Sequence, residues 1–161
     1  MNKIRAIFMA MLVFCAWGCD NSVSFEDQMA IDRDIILEYA ADNNLQGEFT
    51  DLGTYYIIED AGSGSATPAV TSVIDIYYEG QLLDGTQFDQ SGGFPAQLQM
   101  WNLIRGWQDG LANFKKDSKG VLLIPSRLAY GADGRKNQIT DEYIIPPDAV
   151  LRFNVELVDF N

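Results

Sequence analysis

The sequence predicts an α+β domain in which one short helix lies across a β-sheet. Apolar residues recur with the period of a helix between positions 103 and 114. They are Leu103, Trp107, Leu111 and Phe114. Strand-like runs lie on both sides, at residues 73–78, 121–125 and 150–158. A short helix must bury its apolar face, so we expect Trp107 to face the sheet, as a core residue or as part of a binding site.

The first segment, residues 1–18, is expected to be a signal peptide of a bacterial lipoprotein. Lys3 and Arg5 precede an apolar run, residues 6–17, which is too short to span a bilayer comfortably. The run is followed by a small residue and Cys19, a pattern that resembles the lipobox, where the cysteine becomes the lipid-bearing first residue. An ordinary cleaved signal peptide and an uncleaved anchor helix are the alternatives.

This interpretation predicts a location and an anchor. The mature chain would be held in the bacterial cell envelope by lipid on Cys19, facing the periplasm or exposed on the outer membrane. The two cysteines of the chain are Cys15 and Cys19. Cys15 lies in the apolar run, so the exported part would hold no disulfide and would depend on its hydrophobic core.

Charge and composition limit the partners and the chemistry. Removing Lys3 and Arg5 from the 11 basic residues leaves 9 against 23 acidic residues, a net charge of −14 for the exported part. Such an acidic surface argues against nucleic acid as a partner. The chain contains no histidine, which argues against most hydrolases and zinc enzymes. We expect neither a metal nor a cofactor.

A helix is predicted within residues 19–47, the segment that carries the lipidated cysteine and a short tether. Ser24 is the expected N-cap and acidic residues follow it, while Asn43 and Asn44 mark the end. The expected apolar stripe consists of Ile31, Ile35 and Tyr39. An isolated amphipathic helix cannot bury such a stripe away from solvent. We therefore expect the stripe to pack on the following domain or to pair with a second copy, which would make a dimer.

One globular domain is predicted for residues 48–161. Residues 55–58 are bulky and either aromatic or β-branched, as in a strand, and residues 61–68 form a loop of small side chains. The next strand begins at residue 73 and ends in two tyrosines and a glycine. Asp84 and Gly85 then predict a turn between two strand segments.

Five segments of this domain resemble, in order, those of the FK506-binding-protein (FKBP) family of peptidyl-prolyl cis-trans isomerases. They are YYEGQLLDGTQFD, IRGWQDGL, IPSRLAYG, IIPPDAVL and FNVEL. The resemblance covers about residues 54–160. It implies a strongly twisted antiparallel sheet wrapped around one short helix, with the substrate pocket between them. It also implies an enzyme that accelerates X-Pro isomerisation in exported, proline-containing polypeptides.

The resemblance further implies which residues form the pocket. Those expected to carry catalysis are Tyr78, Phe88, Asp89, Trp107 and Tyr130. Those expected to bind the substrate are Leu103, Ile104, Ile144, Ile145 and Phe153. Trp107 would be the floor, and the Tyr130 hydroxyl would bond the carbonyl before the proline. Asp89 would either hold Tyr78 in place or face the polarised carbonyl carbon.

The chemistry of this reaction suits the composition of the chain. Rotation about an X-Pro bond must break amide resonance, with a barrier of roughly 18–20 kcal/mol, and it needs no nucleophile, metal or proton donor. The twisted amide is less polar than the planar one. A water-poor aromatic pocket therefore favours the twisted state over the ground state.

The sequence departs from the family pattern around the expected pocket. Ala96 stands where an aromatic residue is common, and Phe94 or Trp101 is the candidate replacement. No basic residue follows Asp89 in its segment to pair with the carboxylate. Residues 132–143 form a longer loop than in the smallest family members. These departures bear on binding of the family's macrolide inhibitors more than on isomerase activity.

A non-catalytic module with the same fold is the alternative function. Such a module would hold proline-containing loops or a partner protein in an envelope complex. The full set of expected catalytic side chains is present, which favours the enzyme.

Overall fold

The computed structural model describes residues 23–161 of the chain. The predicted signal peptide and Cys19 lie outside the described residues. The helices are α1 (Phe25–Asp42) and α2 (Arg105–Leu111). The strands are β1 (Glu48–Phe49), β2 (Tyr55–Asp60), β3 (Val73–Leu82), β4 (Gln87–Gln90), β5 (Ala96–Gln99), β6 (Ser118–Ile124), β7 (Arg135–Lys136), β8 (Tyr143–Ile145) and β9 (Leu151–Phe160).

Seven of these strands form one antiparallel sheet in the order β1-β2-β6-β9-β3-β4, with β5 also paired to β3. The ten-residue strands β3 and β9 pair along their whole length, from Ile74 opposite Phe160 to Leu82 opposite Leu151. β7 and β8 form a separate two-stranded hairpin. The antiparallel sheet around one short helix, with a further helix at the N-terminal side, confirms the expected fold class.

Helix α2 is shorter than predicted. The helix expected over residues 103–114 is seven residues long, because Leu103 and Ile104 have extended backbone angles and precede it. At the other end, the Asn113 side-chain amide donates to the carbonyls of Asp109 and Gly110, both at 3.3 Å. These bonds satisfy carbonyls at the helix end and so stop the helix before Phe114.

Two glycines let α2 lie directly on strand β6. A β-carbon on Gly106 would stand 2.1 Å from Cγ2 of Ile124, and one on Gly110 would stand 2.7 Å from Cδ2 of Leu122. Real carbon atoms do not approach so closely, which means that larger residues would push the helix off the sheet. The close approach turns Trp107 toward the sheet, as the sequence predicts, and buries it in the main core.

Helix α1 begins as predicted, but it packs through a different face. The Ser24 hydroxyl accepts the Asp27 N–H at 3.1 Å, which confirms the N-cap. The predicted apolar stripe is wrong for Ile31 and Ile35, which are 46% and 38% exposed, whereas Tyr39 is half-buried and packs against the second core cluster. The residues that α1 buries are Gln28, Asp32, Ile36 and Ala40.

The reason for the different face is a buried polar contact that no hydropathy pattern contains. Asp32 is fully buried and bonds Ser126, while Ile36 and Ala40 pack in a second core cluster with Tyr55 and Ile57 of β2. This face holds α1 on its own domain. Within residues 23–161, neither helix is long and apolar enough to cross a membrane.

Candidate active site

A cavity of about 270 Å³ opens between α2 and the sheet. Its lining residues are Tyr78, Asp89, Leu98, Asn102, Leu103, Ile104, Trp107, Tyr130 and Phe153. They come from β3, β4, β5, β9, α2 and the turns around them. The long strands, the helix and the loops therefore converge on one concave site, as ligand pockets commonly do.

A second cavity, of about 360 Å³, shares only Tyr78 with this lining. It is shallow, and charged side chains from β2, β3, β6 and β9 contribute much of its lining, including Glu59, Glu79, Lys119 and Glu156. Lys119 and Glu156 are already paired at 3.0 Å. The smaller, aromatic cavity over α2 is therefore the candidate active site.

Three aromatic rings form the floor and walls of the site. Trp107 is 4% exposed, and its ring centroid lies 5.1 Å from those of Tyr78 and Phe153. Both contacts are edge-to-face, with interplanar angles of 86° and 89°. Trp107 therefore belongs to the core and also lines the cavity, so the two roles that the sequence left open are combined in one side chain.

The Tyr78 hydroxyl lies beside the carboxylate of Asp89 at the polar side of the cavity. Burial raises the pKa of Tyr78, and the negative charge of Asp89 and a hydrogen bond to it raise this pKa further. The hydroxyl therefore keeps its proton at neutral pH and can donate it to Asp89. The charge of Asp89 acts on the Tyr78 hydroxyl, and which of its two expected roles Asp89 has stays a prediction.

A cation reaches the site from the long loop that follows Tyr130. The Arg135 guanidinium donates to the Phe88 carbonyl at 3.3 Å, and its central carbon lies 5.7 Å from the Tyr130 ring centroid and 5.9 Å from that of Phe88. Pairing with Ile145 in the β7–β8 hairpin fixes the position of Arg135. Its charge acts to lower the pKa of Tyr78 against the larger effect of burial.

Arg135 therefore brings positive charge to a site whose own segment has none after Asp89. The sequence shows the long loop but gives no sign of this contact. The available signal was an arginine five residues after Tyr130, and nothing local showed that the hairpin folds back over Phe88.

Seven of the ten predicted site residues line the cavity. They are Tyr78, Asp89, Leu103, Ile104, Trp107, Tyr130 and Phe153. The other three pack beside the lining. Phe88 lies edge-on to Phe153 with ring centroids 5.5 Å apart, Ile145 is buried in the core, and the half-buried Ile144 packs against that core.

Two lining residues, Leu98 and Asn102, are absent from the predicted set. The alternation in β5, where Ala96 and Leu98 are half-buried between exposed glutamines, was the signal for Leu98. Phe94 and Trp101, the candidates for the missing aromatic residue, are 82% and 59% exposed and do not line the cavity. Leu98 occupies part of that wall instead.

The chemistry open to this site is binding and polarisation. An aromatic floor accepts a small apolar ring, and the Tyr130 hydroxyl can donate to a carbonyl beside it. Among the described residues 23–161, no group of three or more Cys, Asp or Glu side chains is arranged to hold a metal ion.

Comparison with known proteins relates this site to one family. A family model described as FKBP-type peptidyl-prolyl cis-trans isomerase matches residues 64–158. FkpA of Buchnera aphidicola subsp. Schizaphis graminum is 38% identical over 112 residues, which are 68% of this chain and 42% of the relative. FkpA of Escherichia coli K12 is 39% identical over 109 residues, 66% of this chain and 37% of the relative. The chain thus spans about two fifths of the length of these curated relatives.

Solved structures show the same fold. The peptidyl-prolyl cis-trans isomerase of Pseudomonas syringae pv. tomato superposes with a TM-score of 0.70 at 27% identity, covering 87% of this chain and 98% of that protein. The crystal structure of FkpA from Escherichia coli superposes with a TM-score of 0.66 at 33% identity, covering 84% of this chain and 62% of the FkpA chain. Both alignments extend beyond the residues that the family model matches.

Proposed function

The chain belongs to the FKBP-type peptidyl-prolyl cis-trans isomerases, and on that premise we propose that it accelerates isomerisation of X-Pro bonds in proline-containing polypeptides. The observation that carries the proposal is the cavity floored by Trp107, with Asp89 and Tyr130 on its polar side. Uncatalysed proline isomerisation takes tens of seconds or longer, so folding proteins gain from a catalyst.

The proposed mechanism needs only binding and one directed hydrogen bond. The proline ring lies on Trp107, between the rings of Tyr78 and Phe153, where water is excluded. The twisted amide has lost resonance and polarity, so this apolar site stabilises it more than the planar amide. The Tyr130 hydroxyl donates to the carbonyl before the proline. Asp89 acts by holding Tyr78, which keeps that wall of the pocket in place.

Tyr130→Phe tests the proposal, because it removes one hydroxyl and leaves the ring. We expect kcat/KM for a short Leu-Pro peptide to fall by up to about tenfold, the value of one hydrogen bond of roughly 0.5–1.5 kcal/mol. Tyr143→Phe is the matched control, since Tyr143 is 51% exposed and does not line the cavity. It should keep full activity.

Two results of this experiment would overturn the proposal. Equal activity of both variants would remove Tyr130 from the mechanism. A fully folded wild-type chain that is no faster than the uncatalysed reaction would favour the non-catalytic binding module. Circular dichroism of each variant gives the folded fraction by which the rates are corrected.

We further propose that the mature chain is anchored in the cell envelope by lipid on Cys19. The support is the short apolar run that ends two residues before the cysteine and the net charge of −14 beyond the run. One lipid chain binds a membrane marginally, whereas two or more anchor it stably. Mass spectrometry of the membrane fraction should show a diacyl- or triacyl-cysteine at the N-terminus. An unmodified chain found in the soluble fraction would contradict the anchor.

Two other expectations stay proposals. The exposed Ile31 and Ile35 leave an apolar face on α1 that is free for a second copy. Macrolide binding depends on the wall of the cavity, where Ala96 replaces the common aromatic residue and Leu98 forms part of the lining. We propose that the changed wall weakens such binding.

A further inference from the structure

A carboxylate from α1 is buried beneath the turn that leads to the active site. Asp32 is 0% exposed, and burial of a charge is costly unless hydrogen bonds compensate for it. Its Oδ1 accepts the Gln28 side-chain amide at 2.8 Å. Its Oδ2 accepts both the backbone N–H and the hydroxyl of Ser126 at 2.7 Å. Two of the three bonds thus join residues 94 positions apart in the chain.

Ser126 begins the short turn that carries Tyr130. The turn, Ser126–Leu128, is one 3-10 helix closed by the Leu128 N–H on the Pro125 carbonyl at 3.0 Å and the Ala129 N–H on the Ser126 carbonyl at 2.9 Å. Tyr130 follows directly after Ala129. A residue held by both its backbone and its hydroxyl cannot rotate about its own axis. Asp32 therefore restrains the residue from which the chain leaves toward Tyr130.

A second bond joins the same two segments. The Arg127 guanidinium donates to the Val23 carbonyl just before α1, at 3.2 Å. Leu128, the last residue of the turn, is buried in the main core. The turn is therefore held from α1 at two neighbouring residues and from the core at the third.

We propose that Asp32 is a positioning residue for the active site, through which α1 holds the Tyr130 hydroxyl where the substrate carbonyl binds. The inference rests on the proposed function for its kinetic consequence. It also places α1 in a role that the sequence did not predict, since the helix was expected to contribute only an apolar face.

That the buried residue is an aspartate supports a role in positioning Tyr130 rather than a role only in stabilising the fold. A buried charge is a poor source of stability, because an apolar residue of similar volume is often as stable or more stable. Charge-assisted hydrogen bonds are short and directional, which suits a group that fixes a geometry. Ile36, one turn further along α1, already provides the apolar contact of the helix with β2.

Asp32→Ala and Ile36→Ala form a matched pair for the test. Both side chains are fully buried on the same face of α1, but Ile36 packs against the cluster around Tyr55 rather than on Ser126. Among folded molecules, Asp32→Ala should lower kcat/KM by about threefold to tenfold. Ile36→Ala should keep wild-type kcat/KM even where it loses as much thermal stability. Unchanged kcat/KM in Asp32→Ala, or an equal loss in both variants, would overturn the proposal.

A double variant shows whether Asp32 acts through Tyr130. If it does, Asp32→Ala/Tyr130→Phe should be no slower than Tyr130→Phe alone, because the hydroxyl being positioned is already gone. If the fold-losses in kcat/KM of the two single variants multiply in the double variant, Asp32 acts elsewhere than through Tyr130, and the proposal is contradicted. If Asp32→Ala does not fold, Ser126→Ala replaces it, since it removes one donor and leaves the backbone bond to Asp32 intact.

A spectroscopic readout separates this proposal from the proposed function. With 3-fluorotyrosine in the chain, the ¹⁹F signal assigned by its loss in Tyr130→Phe should shift or broaden in Asp32→Ala and not in Ile36→Ala. This result requires no isomerase activity. If the wild type is inactive but the Tyr130 signal shifts in Asp32→Ala, only the proposed function is contradicted. If the wild type is active but the Tyr130 signal does not change in Asp32→Ala, only the positioning role is contradicted.

Discussion

Replacing Trp107 with leucine is expected to lower both catalytic efficiency and stability. The indole is the floor of the cavity and also packs edge-on against Tyr78 and Phe153. Loss of the ring removes apolar surface that the proline ring contacts, so kcat/KM should fall about tenfold or more. It also leaves a gap in the core, so unfolding should become easier by about 2–4 kcal/mol. Peptide isomerisation and urea unfolding measure the two effects separately.

Trp101→Leu is the control for that experiment. Trp101 is 59% exposed, lies six residues earlier in the chain, and does not line the cavity. Its replacement should leave both kcat/KM and the unfolding midpoint close to those of the wild type. If the activity lost in Trp107→Leu only follows the unfolded fraction, Trp107 is a core residue and not a pocket floor.

Gly106→Ala is expected to destabilise the domain although alanine is the better helix former. The substitution gains about 1 kcal/mol of helix propensity. The added β-carbon, however, would stand 2.1 Å from Cγ2 of Ile124, an atom close to the backbone that cannot swing away. Overpacking of this kind typically costs about 1–3 kcal/mol, and here it should exceed the gain. Because Trp107 is the next residue, kcat/KM should fall as well.

Ile124→Ala combined with Gly106→Ala tests the cause. Ile124→Ala alone should cost about 2–5 kcal/mol, since Ile124 is fully buried. In the double variant the space left by the isoleucine receives the new methyl group, so the total cost should be clearly less than the sum of the two. Additive free energies of unfolding from urea titrations would show that the contact between Gly106 and Ile124 is not the source of the strain.

The sequence predicted those features of the site that depend on short segments. Tyr78 on β3, Phe153 on β9 and the tryptophan on α2 converge because strand order and register follow from the family fold. Residues contributed by irregular segments were harder to predict. Asn102 lines the cavity and Arg135 contacts Phe88 beside it because a turn and a hairpin fold over the site, and neither segment has a periodic pattern.

By itself, the sequence determined the fold class, the family, the capping of α1 by Ser24 and seven of the side chains that line the cavity. These follow from local patterns and from motifs that lie within about a dozen residues. Only the tertiary structure decided where α2 begins and ends, and which face of α1 is buried. Apolar periodicity indicated Ile31 and Ile35, but the face of a helix that is buried depends on the residues it packs against in the folded domain. Here that partner is Ser126, 94 residues from Asp32 along the chain, whose two donors compensate for burying a carboxylate.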